Sequence, residues 1–223
     1  MDSSQKLTNT DVKKLNKNRI FRLIYNSDKI SRQEIADQLG LSLPTVNQNL
    51  KMLMEDGLIE YVGNFTSTGG RRAQAITINN NARKAISVNI KADYINVDVV
   101  GLKGQIIYSM AVKAHFSKSR AYIEKLTDAV RHAVDYVGAD ADDILGVGIT
   151  VPGILDDEKQ ILISAPPLKA KNYDFTRLIS AIDYPVVVMN DARAEAYADH
   201  WFNGKPEDEK IYIMLGEGVG GAY

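Results

Sequence analysis

Residues 30–63, ISRQEIADQLGLSLPTVNQNLKMLMEDGLIEYVG, contain the start and stop signals of two short helices. Ser31 and Glu34, three residues apart, form the pattern of a capping box, which predicts the start of a helix. Gly40 predicts its end, because the residue just past a helix often needs a positive φ. Ser42 predicts the cap of a second helix. The stretch therefore predicts two helices joined by a tight turn, and the apolar residues at its end predict a strand.

The second helix has an apolar and a polar side. Val46, Leu50 and Leu53 follow the i, i+4, i+7 spacing of a buried stripe. Hydroxyl and amide side chains on the other side can bond to base edges, and cations can bind phosphate. The pattern predicts a helix-turn-helix with its second helix in the major groove of double-stranded DNA; the alternative is a helical hairpin with a solvated polar face. The candidate DNA contacts are Arg32, Thr45, Asn47, Gln48, Asn49 and Lys51.

A glycine-rich tip follows between two extended runs. FTSTGGRRAQ, residues 65–74, separates the apolar residues near position 59 from those near position 76, which predicts a β-hairpin, here a wing. Arg71 and Arg72 come directly after the glycines and can contact phosphates or enter a minor groove. We expect a winged-helix domain over residues 1–79.

The composition limits the class of protein. The chain has 223 residues, 45% hydrophobic and 25% charged, with a net charge of −1 and no cysteine. DNA contact must therefore come from a local patch, and neither a disulfide nor a cysteine zinc site can form within the chain. No apolar run approaches ~18 residues and the first residues are polar, so we predict a cytoplasmic protein without a membrane partner.

The rest of the chain alternates strands and helices. Residues 80–85 are polar and predict a linker. Three strand-like runs with short connections follow, and then helices and apolar strands alternate up to residue 210. This order predicts a partly parallel sheet covered by helices. It is the element order of one lobe of the ribonuclease-H-like, actin-type ATPase fold, so the predicted class is α/β.

Several motifs in order resemble the ROK family of repressors and sugar kinases. They are SRQEIADQLGLSLPTVNQNLKMLMEDGLI, STGGRR, GVGITVPGILD, VVVMNDARAEAYADHWFNG and IYIMLGEGVGGAY. In that family the repressors carry an N-terminal winged helix and the kinases usually lack it. The resemblance implies a transcriptional repressor of sugar-metabolism genes, with operator DNA and a sugar as ligands and a homodimer as the assembly. It implies no cofactor, and no metal-like spacing relates His115, His132 and His200.

The resemblance also implies a sugar site at Gly153, Asn190 and Asp191. An amide and a carboxylate at the end of a strand can bind neighbouring sugar hydroxyls. Asp191 matches the residue that acts as base in the family's kinases. The alternative is that Asn190 and Asp191 only cap the following helix, and both roles are compatible.

Two stretches bear on catalysis. Residues 89–93, NIKAD, match the DxGGT phosphate loop of the kinases, but Ile90 and Lys91 carry side chains where the backbone must approach phosphate. Glu217 stands in the glycine-rich stretch at residues 216–221, where a carboxylate would repel phosphate. We therefore expect a protein that is not an enzyme. Two alternatives stay open: a sugar kinase with an added DNA-binding domain, and a DNA-binding protein whose sensor domain binds no sugar.

The resemblance assigns residues 211–223 to the first strand and glycine-rich loop of a second lobe. We therefore expect the strand at 211–215 to have no partner within the chain. We also expect Asn190 and Asp191 to form only half of a sugar pocket, with weak sugar binding.

Overall fold

The computed structural model describes residues 8–65, 73–203, 209–215 and 219–223. The chain folds as two compact units, Met1–Arg83 and Lys84–Tyr223. In the described residues, no helix is both long and apolar enough to cross a membrane.

The described residues of the first unit form three helices and a two-stranded sheet. The capping box of Ser31 and Glu34 is present, and Gly40 ends the helix with φ 63°. The Ser42 side chain caps the next helix by accepting from the Thr45 N–H. The elements are α1 (Asn9–Tyr25), α2 (Arg32–Leu39), α3 (Leu43–Glu55), β1 (Ile59–Asn64) and β2 (Gln74–Ile78).

The core of this unit confirms the predicted winged helix. β1 and β2 pair antiparallel, with Ile59 opposite Ile78. The apolar stripe of α3 is buried, as predicted, and α1 and β2 contribute fully buried isoleucines. These residues are Ile20, Ile24, Val46, Leu50, Leu53 and Ile76. The wing tip with Arg71 and Arg72 lies outside the described residues.

The second unit is built on a five-stranded sheet. Its strands are β3 (Lys84–Ile90), β4 (Tyr94–Gly101), β5 (Ile106–Lys113), β6 (Ile144–Val151) and β10 (Val186–Asn190). β3 starts earlier than the predicted linker allows, because Lys84 and Ala85 already pair with Gly101 and Val100 of β4. The prediction of a linker reaching residue 85 is therefore wrong at its last two positions.

The strand order confirms the ribonuclease-H-like lobe. It runs β10-β6-β3-β4-β5; β3, β4 and β5 are antiparallel neighbours, and β6 is parallel to both β3 and β10. Helix α4 (Arg120–Tyr136) contacts β4 and β5. Its Leu126 and Ala133 are fully buried in the core that Val97 and Ile149 also enter. The carboxyl ends of β3, β6 and β10 consequently lie at one edge of the sheet.

Smaller elements complete the second unit. A three-stranded antiparallel sheet is formed by β7 (Ile154–Asp156), β8 (Ile161–Ala165) and β9 (Ala170–Asp174), and α5 (Thr176–Ile179) follows it. Helix α6 (Asp191–Asn203) starts directly at the end of β10. The last described elements are β11 (Tyr212–Leu215) and β12 (Val219–Ala222), which pair antiparallel and contact α6. The expectation of an unpaired strand at 211–215 is wrong, because β12 supplies its partner.

Candidate functional site

The exposed face of α3 carries the candidate DNA contacts. Asn47, Gln48 and Lys51 are exposed, and Lys51 lies 3.8 Å from the Glu55 carboxylate. Thr45 is half-buried, and its hydroxyl lies 2.9 Å from that of Ser42. Amide donors and acceptors and one cation are therefore presented together to solvent, which is the chemistry that base edges and phosphates require.

Asn49 corrects the sequence interpretation. The residue is only 3% exposed, and its amide donates a hydrogen bond to the Thr45 carbonyl oxygen at 2.8 Å. Its position is three residues after Val46 and one before Leu50, which places it on the buried stripe of the helix. Asn49 is therefore not available to a base edge.

Arg32 connects α2 to the wing strands. Its guanidinium donates to the Tyr61 hydroxyl at 2.9 Å and to the Gln74 side-chain oxygen at 2.6 Å. It also lies over the Tyr61 ring, 5.5 Å from the centroid, a cation–π distance. Arg32 is half-buried, so its main observed contacts are within the unit. Tyr61 and Gln74 lie in the two stretches quoted from the sequence, but their contact with Arg32 was not predicted, because only the pairing of β1 with β2 brings them together.

A cleft of about 1080 Å³ opens at the carboxyl edge of the main sheet in the second unit. It is bounded by the turn after β3, the loop after β6, the start of α6 and the β11–β12 hairpin. Its polar lining includes Lys91, Asn190, Asp191, Arg193 and Glu195. All three sugar-site residues expected from the sequence, including Gly153, line this cleft.

The Asn190 side chain forms hydrogen bonds with three other residues that line the cleft. Its side-chain N–H groups donate to the Gly153 carbonyl at 2.8 Å and to the Asp191 carboxylate at 3.2 Å. Its side-chain oxygen accepts from the Arg193 backbone N–H at 3.0 Å, which caps α6. Both amide hydrogens are thus engaged inside the protein, and the oxygen alone has remaining capacity. The helix-capping alternative therefore holds for Asn190.

Gly153 permits the tight loop beneath the cleft. Its φ is +103°, in the region that favours glycine. A Cβ added there would lie 2.3 Å from the Ser164 carbonyl oxygen and 2.7 Å from the Ala165 Cα. The loop after β6 can therefore pack on β8 only with glycine at this position.

Among the described residues that line the cleft, both cations are paired with carboxylates. The Lys91 ammonium lies 3.6 Å from the Asp191 carboxylate, which is only 13% exposed. Arg193 forms an ion pair with Asp157. The Lys91 side chain thus extends into the cleft from the turn after β3, and Ile90 beside it is a fully buried core residue.

The hairpin forms a wall of the cleft and is attached to α6. A Cβ on Gly220 would lie 2.9 Å from that of Ala192, so the two backbones approach closely. Asp199 accepts from the Tyr212 hydroxyl at 2.8 Å and from Lys210 at 3.3 Å. Hydrogen bonds from Asn203, Tyr212 and Lys210 lower the pKa of the Asp199 carboxyl below its usual value. Glu217 and its two neighbours lie outside the described residues.

Within the described ranges, no group of three or more acidic, histidine or cysteine side chains could hold a metal ion.

Comparison with known sequences gives two family matches. Residues 85–223 match the family described as "ROK family", and residues 15–60 match "Winged helix-turn-helix DNA-binding". The xylose repressor of Bacillus subtilis (strain 168) is 28% identical over 95% of this chain and 55% of its own length. A putative xylose repressor of Caldicellulosiruptor sp. (strain Rt8B.4) is 30% identical over 94% and 53%. The chain thus spans about half the length of these relatives.

Solved structures show the same fold. A ROK family transcriptional regulator described as a homolog of the Escherichia coli MLC protein matches with a TM-score of 0.65 and 23% identity, covering 94% of this chain and 54% of that one. A ROK family glucokinase from Streptomyces griseus, solved with glucose and AMPPNP, matches with a TM-score of 0.50 and 30% identity over 62% and 43%. The transcriptional regulator thus shares the fold over nearly the whole chain, and the glucokinase shares it over about three-fifths of the chain.

Proposed function

The chain belongs to the ROK family, and we propose that it is a sugar-responsive transcriptional repressor. The observation that carries the proposal is the exposed polar face of α3 in a winged helix, joined in one chain to a ROK lobe with Asp191 in a cleft. The repressor relatives match nearly the whole chain, whereas the glucokinase matches 62% of it. Since the partner would be chromosomal DNA, we place the protein in the cytoplasm.

In this proposal the two units have separate ligands. Asn47, Gln48 and Lys51, with Thr45 at the edge, contact operator DNA, and Arg71 and Arg72 contact its backbone or minor groove. Asp191 accepts from sugar hydroxyls, while Asn190 and Gly153 shape the site. The full-length protein acts as a homodimer, and sugar alters the placement of its two winged helices. This requires that the sugar binds one arrangement more tightly than the other.

A selection from genomic fragments tests the proposal. Fragments retained by the protein are sequenced, and their affinity is measured with and without three sugars. Xylose and glucose are taken from the names of the relatives above, and N-acetylglucosamine is added as an amino sugar. We expect one enriched sequence and a change in its affinity with one of these sugars. Enrichment without any sugar effect or sugar binding would favour a DNA-binding protein with an inactive sensor, and no enrichment would overturn the proposal.

The second candidate is a sugar kinase with an added DNA-binding domain. Asp191 stands at the strand end where the kinases have their base, and the fold resembles a glucokinase bound to AMPPNP. Against it, the glycines that let a backbone approach phosphate are replaced by the buried Ile90 and by Lys91. We propose that the protein is not an enzyme. A coupled assay should detect no sugar-dependent ATP consumption; turnover that Asp191→Asn abolishes would make the kinase the better assignment.

A further inference from the structure

Lys91 and Asp191 meet across the width of the sheet. Lys91 follows β3, Asp191 follows β10, and β6 lies between these strands. Two strand spacings separate the backbones by roughly 9–10 Å, so only a long side chain from one can approach a short one on the other. The backbone at Lys91 is fixed by its N–H, which donates to the Tyr94 carbonyl at 3.0 Å. The approach of the ammonium to the carboxylate therefore depends on the length of lysine.

The Asp191 carboxylate is held from both sides. One oxygen accepts from the Ala192 backbone N–H at 3.0 Å and from the Asn190 amide at 3.2 Å. The other oxygen lies 3.6 Å from the Lys91 ammonium. A carboxylate has about four acceptor positions and an ammonium has three donors. The pair therefore retains at least one acceptor and further donors that can serve a ligand in the cleft.

The cleft is electrically balanced. The described residues that line it include two cations, Lys91 and Arg193, and two carboxylates, Asp191 and Glu195. Lys91 is paired with Asp191, and Arg193 is paired with Asp157, which is not among the lining residues. Neither of these two cations is without a partner, so a phosphate would have to displace a carboxylate to gain a counter-ion. A neutral ligand needs no such exchange, and a hydroxyl can donate to the carboxylate while accepting from the ammonium.

We infer that Lys91 is a positioning and specificity residue of the cleft. It fixes the Asp191 carboxylate and places an N–H donor beside it, so that the pair binds two neighbouring hydroxyls of an uncharged sugar. The inference rests on the proposed sugar-sensing function and adds to it the ligand class, an unphosphorylated sugar with a vicinal diol.

A double-mutant cycle on the 223-residue chain tests this. Xylose, glucose and N-acetylglucosamine are titrated by calorimetry or by NMR chemical shifts into the wild type, Lys91→Met, Asp191→Asn and the double variant. We expect Lys91→Met to weaken binding of the recognised sugar about 10-fold, but to change it less than about 2-fold in the Asp191→Asn background, since directly coupled residues are not additive. Lys91→Arg, which restores a long cation, should recover most of the affinity.

A control variant and the named outcomes distinguish failure of the Lys91 inference from failure of the proposed function. Lys159→Met removes another Lys–Asp pair, whose ammonium lies 3.4 Å from Asp156, and should leave sugar affinity unchanged. If the wild type binds none of the three sugars even at the highest concentrations tested, the sugar-sensing part of the proposed function fails, whatever the role of Lys91. If the wild type binds but Lys91→Met binds equally well, or if the two substitutions are additive, the positioning role of Lys91 is wrong. Tighter binding of glucose 6-phosphate than of glucose would overturn the neutral ligand class.

Discussion

The Asn49 amide and the Thr45 carbonyl oxygen are joined by a hydrogen bond of 2.8 Å within α3. Asn49 is only 3% exposed and lies on the inner side of the helix, next to the buried Leu50. The exposed polar surface of α3, which we propose contacts DNA, is consequently narrower than its polar composition suggests, and it is centred on Asn47, Gln48 and Lys51.

Gln48→Ala should weaken binding to the selected operator by about 1–3 kcal/mol, because a bidentate amide–base contact is worth that much discrimination. Binding to random DNA and the melting temperature should be unchanged, since Gln48 is exposed. Asn49→Ala is the comparison: it removes a buried side chain and should lower the melting temperature without changing the ratio of operator to random binding. Fluorescence anisotropy on both DNAs measures these effects, and a specificity change for Asn49→Ala alone would reverse the assignment of the two faces.

Arg32→Met should weaken DNA binding without changing its salt dependence. The substitution removes the hydrogen bonds to Tyr61 and Gln74 that connect α2 to the wing strands, but in this interpretation it removes no phosphate contact. Tyr61→Phe removes one of these hydrogen bonds and retains the ring, so a smaller effect is expected. Titrations over a range of salt concentrations measure the slope.

Arg71→Ala is the comparison variant for the salt titrations of Arg32→Met. From the sequence we predict that Arg71 contacts phosphate, so its loss should weaken binding to all sequences and reduce the salt slope by about 1. The same reduction for Arg32→Met would show that Arg32 contacts the DNA backbone directly.

Gly153→Ala should destabilise the second unit by about 1–3 kcal/mol, because the added methyl group would overlap the β8 backbone. It should also abolish sugar binding, since the Gly153 carbonyl positions Asn190. Gly148→Ala is the matched control: this glycine lies in β6, and an added Cβ would meet nothing within 4 Å. Denaturant unfolding and sugar titration of both variants test the expectation, which a fully stable, sugar-binding Gly153→Ala variant would contradict.

Local signals explain most of what the sequence predicted. The caps at Ser31, Gly40 and Ser42 act within four residues, so the helices of the first unit could be located before any tertiary structure was known. The facing of Asn49 was also readable from its spacing to Val46 and Leu50, but its polarity suggested the opposite side. For deciding which side of a helix such a residue faces, its spacing to the apolar residues is therefore a better guide than its polarity.

Tertiary pairings could not be read in the same way. Strand β7 has three residues and β9 has the sequence AKNYD, so neither carries an apolar pattern of its own. Strand β12, VGGA, lacks strand-forming residues at two positions and is stabilised by pairing with β11. The meeting of Lys91 and Asp191 depends on the order β10-β6-β3, because no sequence spacing relates residues 100 positions apart.

Attachment of the β11–β12 hairpin to α6 should weaken in acid through Asp199. Hydrogen bonds from Asn203, Tyr212 and Lys210 lower the pKa of this carboxyl in the folded state. A lowered carboxyl pKa contributes stability that is fully present above the unfolded value near ~4 and is lost as pH falls through the folded value. We therefore expect hydrogen-exchange protection of the hairpin amides to be constant between pH 7 and 5 and to decrease below ~4.

Two variants test whether Asp199 is the carboxyl that makes hairpin protection depend on pH. Asp199→Asn cannot ionise, so its hairpin should be less protected than the wild type at pH 7, and the difference should shrink towards pH 3. Asp174→Asn is the control, because the pKa of Asp174 is also lowered, but by hydrogen bonds from Thr176. Asp174→Asn should change the acid stability of the unit but should have no selective effect on the hairpin. The stability of the unit is measured by the fluorescence of the single tryptophan, Trp201. Hairpin protection that is equal in the wild type and Asp199→Asn at pH 7 would show that β11 and β12 are held by packing on α6 rather than by this carboxylate.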